Sequence, residues 1–516
     1  MQAAKDSNKG NHVACRQKLS LVEEGGSECQ YADYLMVVIK EGGHGTGQLY
    51  PRVTIDGLPD NVLLETFEFY LGKDDAVGIN YGHDYDEWQT LVHVCHRWRC
   101  IAFVSARRLD LKLYCTRRRS VNSRTLDIWP ALPIVIFARD MQSKEDVLNI
   151  IAALRQHNRV CKIYYIDRKF QDPLLKEFAA MDEPFPVLTS LKLIPSGQNV
   201  PVLPDSFLGG SAPRLRSLDL VGTPYPSIGK LLSSTTNLVR LSLCRIPPSG
   251  YIAPETIVPC LSMLHRLKSL ELGFQCPRSR AHRERRHPPP LTRVVFPNLT
   301  FLTFNGDIEY LEDILSRIDT PILNQSELHL FNQLVFDTPL LGHFIRRTET
   351  FMTIHRARVQ FYGLAVGVTL SGRDEMVNNY REALHLEITC KPLDWQLSAL
   401  AQVLNPFLSS LQTLESLEIA VSHEDWQGEI EIIQCREFLH PFTSVKKLSL
   451  VREDSVRLVA PALKELAEER AMEVLPALQN IFLKTYDWQP RGPAEEAIEQ
   501  FITTRQLYGR PVTIHY

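Results

Sequence analysis

The feature that most constrains the fold is a hexapeptide pattern, L-x-x-L-x-L, that recurs along most of the chain. Most neighbouring copies lie about 23 to 33 residues apart. A repeat of this length, ending in alternating apolar residues, predicts a stack of units that each contain one short strand and a returning helix or loop. The good copies begin at Val160, Leu188, Leu215, Leu238, Leu267, Leu299, Leu414, Val445 and Leu478, and degenerate copies lie at Glu327–Leu330 and Leu384–Ile388.

The last three residues of each copy alternate between apolar and variable positions. Because successive side chains of a strand point to opposite faces, the two apolar residues face the core and the middle residue faces the open, inner surface. Pro precedes several copies, as at Pro186, Pro213 and Pro297, which fits a helix that is stopped just before each strand. The alternation in 357–361 and 365–370 predicts two extended strands in place of one full repeat.

This pattern resembles the leucine-rich repeat. The resemblance implies a solenoid with a curved, mainly parallel sheet over residues 109–516. Regular members of that family carry Asn or Cys three residues after the last Leu, where this chain has Thr223, Ile246, Gln275 and Asp307. We therefore expect an irregular solenoid. The alternative is a set of buried strands in an ordinary α/β domain.

A second feature lies upstream of the repeats, between Leu58 and Ala102. Pro59 cannot continue a helix backwards, and Asp60 or Asn61 can accept backbone N–H bonds as an N-cap. Apolar residues then recur at helical spacing in two stretches, so two or three short amphipathic helices are predicted. The apolar positions are Val62, Leu63, Phe67 and Leu71 in the first stretch and Trp88, Leu91, Val92, Cys95, Trp98 and Ala102 in the second.

The Leu-Pro opening, the Phe in the first helix and the Val-Cys-x-x-Trp-Arg ending resemble an F-box, and the whole assemblage resembles the large fungal, basidiomycete-type F-box families. The matching residues are Leu58, Pro59, Leu63, Phe67, Leu71, Leu91, Val94, Cys95, Trp98 and Arg99. The resemblance implies binding to a Skp-type adaptor of a cullin ubiquitin ligase through Leu58, Pro59, Leu63, Phe67, Val94 and Trp98. The alternative is an ordinary helical hairpin that begins at a Pro.

These observations predict an α+β to α/β protein with three parts. Residues 1–50 are a flexible leader, 51–108 form the F-box-like helical domain with a loop insert at 72–86, and 109–516 form the irregular repeat domain. A basic, Pro-rich loop occupies 277–290, and the segment from Pro493 covers the end of the solenoid.

Composition excludes several function classes. The formal charge of -3 gives no global attraction to nucleic acid or membrane, no apolar run is long enough to span a bilayer, and no secretory signal is visible. The eleven cysteines are scattered singly, which favours buried, reduced thiols over disulfides or zinc. We expect a cytoplasmic or nuclear protein without cofactor or metal.

No nucleophile elbow, His-Glu-x-x-His motif, EF-hand loop or paired Cys motif is present. Cys95 and His96 are adjacent, but neighbours on a helix diverge by about 100 degrees, so we expect Cys95 to pack in the helical core. The sequence thus predicts a non-catalytic adaptor whose repeats bind an unknown protein target. The alternatives are a repeat scaffold without a ligase and a hydrolase whose site forms only in the fold.

The mid-strand residues are the predicted target-binding positions. Their acidic members suggest a basic target. They are Lys192, Asp219, Ser242, Glu271, Thr303, His329, Glu387, Glu418 and Ser449.

Overall fold

The computed structural model divides into two compact units, Met1–Lys112 and Leu113–Tyr516. The residues it describes are 55–72, 87–116, 129–139, 143–167, 174–197, 200–277, 292–333, 335–374, 379–390, 393–408, 413–422, 432–465, 473–484 and 492–516. The predicted leader, nearly all of the insert at 72–86 and nearly all of the loop at 277–290 lie outside the described residues. Among the residues described, no helix is both long and apolar enough to span a membrane.

The first unit contains three short helices: α1 (Asp60–Leu71), α2 (Glu87–Val94) and α3 (His96–Val104). In α1 the buried residues are Leu63, Leu64 and Phe67, which fall within about 100 degrees of the helix surface. Val62 lies on the far side of that arc and is 38% exposed. The predicted apolar stripe is therefore correct for Leu63 and Phe67 and wrong for Val62.

Cys95 separates α2 from α3. Its backbone is extended, with φ -157° and ψ 169°, and its sulfur accepts a hydrogen bond from the Trp98 backbone N–H at 3.5 Å as the N-cap of α3. The expectation that Cys95 packs in the helical core is wrong, because the chain stops and restarts its helix there. The Trp98 ring instead packs on Phe67, with ring centroids 4.8 Å apart.

The second unit is built on one sheet that has sixteen strands among the residues described. These are β1 (Leu113–Thr116), β2 (Ile134–Arg139), β3 (Val160–Ile166), β4 (Ser190–Ile194), β5 (Ser217–Val221), β6 (Arg240–Ile246), β7 (Ser269–Phe274), β9 (Phe301–Gly306), β11 (Gln325–Leu330), β12 (Ile354–Phe361), β13 (Ala365–Asp374), β14 (Asn379–Thr389), β15 (Ser416–Val421), β16 (Lys447–Val451), β17 (Asn480–Lys484) and β18 (Thr513–His515). Two further short strands, β8 (Val294–Val295) and β10 (Ile318–Asp319), form a separate parallel pair.

Strand order follows chain order except in the middle, where it runs β9-β11-β14-β13-β12-β15. In this sheet β13 is antiparallel to both neighbours, and the other described pairings are parallel. A doubly wound α/β domain reorders its parallel strands around a switch point, whereas stacked repeats keep them sequential. The sequential order favours the repeat architecture over the ordinary α/β domain, and the three-strand reversal makes it irregular, as expected.

Helices follow most strands and contact the sheet or one another. They are α4 (Lys144–Leu154), α5 (Leu174–Ala179), α6 (Ile228–Ser234), α7 (Pro254–Ser262), α8 (Ile308–Arg317), α9 (Pro339–Arg347), α10 (Glu349–Met352), α11 (Leu393–Leu408), α12 (Ile432–Leu439), α13 (Glu453–Glu465) and α14 (Pro493–Leu507). Within β5, Leu218 and Leu220 are at most 1% exposed, while Asp219 between them is half-buried. One face of the sheet therefore forms the core, and we call the other the polar face.

Local predictions outside the main repeats are largely confirmed. Both extended strands predicted in 357–370 are present as β12 and β13, and Pro493 starts α14. The strand that follows α14, β18, pairs with β17 at the end of the sheet. Four of the nine described cysteines are buried and all nine are free thiols.

Candidate protein-binding surfaces

The predicted adaptor-binding residues fall into two groups in the helical unit. Leu63 is 1% exposed and Phe67 is fully buried, so in this structure they hold the helices together and are not presented for contact. Val94 is 50% exposed and Pro59 is exposed. Leu58 and Trp98 are half-buried.

Arg97 fixes the chain at the start of α1. Its Nη2 donates to the Leu58 carbonyl oxygen at 2.5 Å and to Asp60 Oδ1 at 2.6 Å, and its Nε also donates to that carboxylate at 3.1 Å. Arg99 Nε donates to the Val92 carbonyl oxygen at 2.9 Å, at the end of α2. These bonds tie α3 to the two helix ends that flank it and hold the Leu-Pro segment in place.

Sequence reasoning missed most of the apolar residues that the helical unit exposes. Phe69 is 90% exposed and Val104 is 88% exposed. Val62 and Phe69 are seven residues apart, two helical turns, and so lie on the same side of α1. The available signal was that Phe69 and Val104 are apolar but fall outside the predicted apolar positions of the helices.

The polar face of the repeat unit carries one continuous row of residues in register. Each member is paired across the ladder with the next, from β4 to β16. In spatial order the row is Lys192, Asp219, Ser242, Glu271, Thr303, Glu327, His385, Thr369, Arg358, Glu418 and Ser449.

Seven of the nine predicted target-binding residues belong to this row. The other two, His329 and Glu387, pair with each other two residues further along their strands than the row members Glu327 and His385. Several row members present little surface: Ser242 is 6%, Thr303 8%, Glu418 4% and Ser449 8% exposed. The predicted residues do share one face of the sheet, but these four offer little surface there for contact with a partner.

The acidic residues at the start of the row are engaged within the sheet. Lys192 Nζ lies 2.5 Å from an Asp219 carboxylate oxygen. The Ser242 hydroxyl lies 3.2 Å from Asp219 and 2.8 Å from Glu271. Burial, reinforced by Glu271, raises the pKa of the adjacent Cys244 thiol to about 12, so that thiol is unreactive at neutral pH. Because Asp219 and Glu271 already bind Lys192 and Ser242, their carboxylates are less available to a basic target than the sequence suggests.

Two imidazoles flank Glu387 in the centre of the face. His329 Nδ1 lies 3.7 Å and His385 Nε2 3.9 Å from its two carboxylate oxygens. The contacts with His329 and His385 lower the pKa of Glu387 to about 2, and Glu387 in turn raises the pKa of His329. His385 Nδ1 lies 3.0 Å from the Thr369 hydroxyl.

This hydroxyl, imidazole and carboxylate resemble the parts of a hydrolase triad. However, the Thr369 residue is only 8% exposed, and β13 is hydrogen-bonded to a strand on each side, so its backbone N–H groups are used in the ladder. An acyl-transfer site needs free donors for the oxyanion beside its nucleophile. We therefore assign no catalytic role to this cluster.

Glu418 lies at the centre of a cationic cluster on β12, β15 and β17. Its carboxylate is 2.7 Å from Arg356 Nη2, 2.6 Å from Arg358 Nε and 3.2 Å from Lys484 Nζ. Burial pushes the pKa of Glu418 up, but the attraction of the three cations outweighs it and leaves the pKa below its ordinary value. Glu418 is therefore ionised and forms ion pairs with all three cations.

Among the described residues, no group of three or more His, Cys, Asp or Glu side chains is arranged to hold a metal ion. No protein-family model and no curated protein matches this chain. A solved structure that aligns with it is the leucine-rich repeat-containing protein LegL7 from Legionella pneumophila, at 16% identity and a TM-score of 0.27. The alignment covers 64% of this chain and 96% of LegL7.

Proposed function

We propose that this chain is the substrate-recognition subunit of a cullin-type ubiquitin ligase, in which the helical unit binds a Skp-type adaptor and the repeat unit binds a protein target. The F-box resemblance suggests the adaptor. The observation that carries the proposal is the set of large apolar side chains exposed on a small helical unit, above all Phe69 and Val104. Exposed apolar residues at this density favour a protein-binding role.

The internal contacts of the helical unit support the same role. The buried Phe67 ring packs on Trp98, and Arg97 holds the Leu58 carbonyl and the Asp60 carboxylate. A small unit that is fixed internally in this way loses little conformational freedom when a partner covers its outer residues. The residues named by the resemblance thus divide into those that build the unit and those, such as Pro59 and Val94, that are open to contact.

A second candidate function is a protein-binding scaffold without a ligase. It is favoured by the long polar face, which alone would suffice to bind a partner. The two functions differ in whether the helical unit has a partner of its own.

Co-purification of the full chain with a Skp-type adaptor tests the proposal. The variant Phe69→Asp with Val94→Asp places charges at two exposed apolar positions and should weaken adaptor binding by at least about 100-fold, since each buried apolar side chain contributes about 1.5 to 3 kcal/mol. The matched control, Ser233→Asp with Thr236→Asp, adds the same charge at exposed polar positions of the repeat unit and should bind as the wild type does.

Circular dichroism of both variants should match the wild type, since all four positions are exposed. Adaptor binding that is equal in the two double variants would contradict the proposed surface. A wild-type chain that binds a protein target but not the adaptor, even at high concentration, would establish the scaffold function instead.

A further inference from the structure

The polar face is divided by charge. In β12, β15, β16 and β17, the positively charged residues that point to this face are Arg356, Arg358, Lys447 and Lys484. We call these four residues the cationic section. The carboxylate that points to the face from these four strands is Glu418, so the section carries a net charge of about +3 at neutral pH.

The neighbouring strands carry the opposite charge. Glu327 on β11 and Glu387 on β14 point to the same face, and Glu271 lies two strands further away in the register row. The polar face therefore changes sign within a few strands, at about 4.8 Å per strand. A ligand attracted to the cationic section is repelled when it extends towards β14.

Glu418 holds the cationic section in a fixed arrangement. It is 5% exposed at its side chain, whereas Arg356 is 25%, Arg358 46% and Lys484 53% exposed. One buried carboxylate thus anchors three cations whose outer parts reach solvent. Because the contacts with Glu418 already order the cations, an incoming anion does not have to bear the full entropic cost of collecting them.

We propose that the cationic section is the docking site for an acidic segment of the protein target, one with Asp or Glu at alternating positions. This inference rests on the proposed function, since it names the partner chemistry of the repeat unit. The three steps from β12 to β17 span about 14 Å, and in an extended peptide the side chains of residues i and i+4 lie about 14 Å apart on one side. Three alternating carboxylates therefore match the width of the section and its charge of about +3.

Nucleic acid fits this surface less well. A polyanion longer than the section would run onto Glu327 and Glu387 on one side. On the other side one face of the Phe482 ring is already covered by His515, with ring centroids 4.5 Å apart, which leaves fewer ring faces on which bases can stack. A short acidic segment meets neither obstacle.

Fluorescence anisotropy with the full chain tests the inference. The probe is a short labelled peptide with Glu at alternating positions, compared with the same peptide carrying Gln, at about 0.15 M ionic strength. The wild type should prefer the Glu peptide, and Arg358→Gln with Lys484→Gln should weaken its binding by about tenfold, because two exposed charge pairs are lost. Both side chains are about half exposed, so the variant should keep its fold.

The matched control is Arg457→Gln with Lys464→Gln, which removes two exposed cations from α13 and changes net charge equally. It should bind the Glu peptide as the wild type does. Equal affinity of the wild type for the Glu and Gln peptides, or equal losses in the two double variants, would overturn the inference.

A phosphoserine peptide and a single-stranded oligonucleotide complete the comparison. Tighter binding of either one than of the Glu peptide, lost in the Arg358 and Lys484 variant, would also overturn the choice of an acidic segment. The assay contains no adaptor, so its failure is distinct from failure of the ligase proposal. A chain that binds the Glu peptide but not the adaptor would support the docking site and refute only the ligase function.

Discussion

Replacing Glu418 by Gln should destabilise the repeat unit by about 2.5 kcal/mol. The substitution keeps the side-chain shape but removes the charge that balances three cations at 2.6 to 3.2 Å. The contact with Arg356, which is 25% exposed, is worth about 1.5 kcal/mol as a charge-assisted hydrogen bond. Arg358 and Lys484 can return to solvent, so each of their contacts contributes about 0.5 kcal/mol.

Urea unfolding followed by circular dichroism measures this difference. In the Arg356→Met background, Glu418→Gln should destabilise the repeat unit less than it does in the wild-type background, by at least about 1 kcal/mol, because the contact between Glu418 and Arg356 is already absent.

The sign of the pH dependence follows from the lowered pKa of Glu418. Its stabilising contribution is present above the ordinary carboxylate pKa and is lost as the pH falls through the lowered value, so wild type and variant should converge only in acid. A destabilisation below about 0.5 kcal/mol at neutral pH would refute the reasoning, because the cations would then be solvated independently of Glu418.

Two further predictions concern other buried or paired charges. Arg505 in α14 is fully buried and donates to the Leu475 and Pro476 carbonyl oxygens at 3.0 and 3.2 Å. Arg505→Met should therefore destabilise the C-terminal segment by about 2 to 4 kcal/mol and speed its proteolysis. Unchanged protease resistance would contradict this. Glu387→Gln should lower the pKa of His329, measured by NMR titration, since Glu387 raises it. The stability that the His329–Glu387 pair contributes is present below the histidine pKa of the unfolded chain. It is lost as the pH rises through the raised pKa of His329 in the folded chain, so the variant should lose this pH dependence of stability.

The repeat pattern was sufficient to predict most of the sheet. The copies that begin at Leu215 and Leu238, for example, contain β5 and β6, because alternation of Leu with polar residues specifies both a strand and its buried face. The two strands within 357–370 were also visible from alternation. Their antiparallel insertion was not, because pairing partners of β13 are set by chain connections and not by local pattern.

Site residues were harder to predict because register and burial are tertiary properties. The sequence placed His329 and Glu387 in the main row, but the ladder puts Glu327 and His385 there. It also read Glu418 as an acid open to a basic partner. Three cations from two distant strands converge on that carboxylate, and no local signal connects residues about 60 positions apart.

The reversal around β13 bears on how this molecule assembles. The β11 strand pairs with β14, whose partner residues lie about 60 positions further along the chain, and β12 pairs with β15 at a similar separation. Elsewhere each new turn can add to the one before it, as in a growing stack. Here the stack cannot be extended until the whole β12-β13-β14 hairpin segment has been made and inserted. Closing these long connections costs entropy before any contact is gained, so we expect this segment to slow folding and to separate two cooperative folding units.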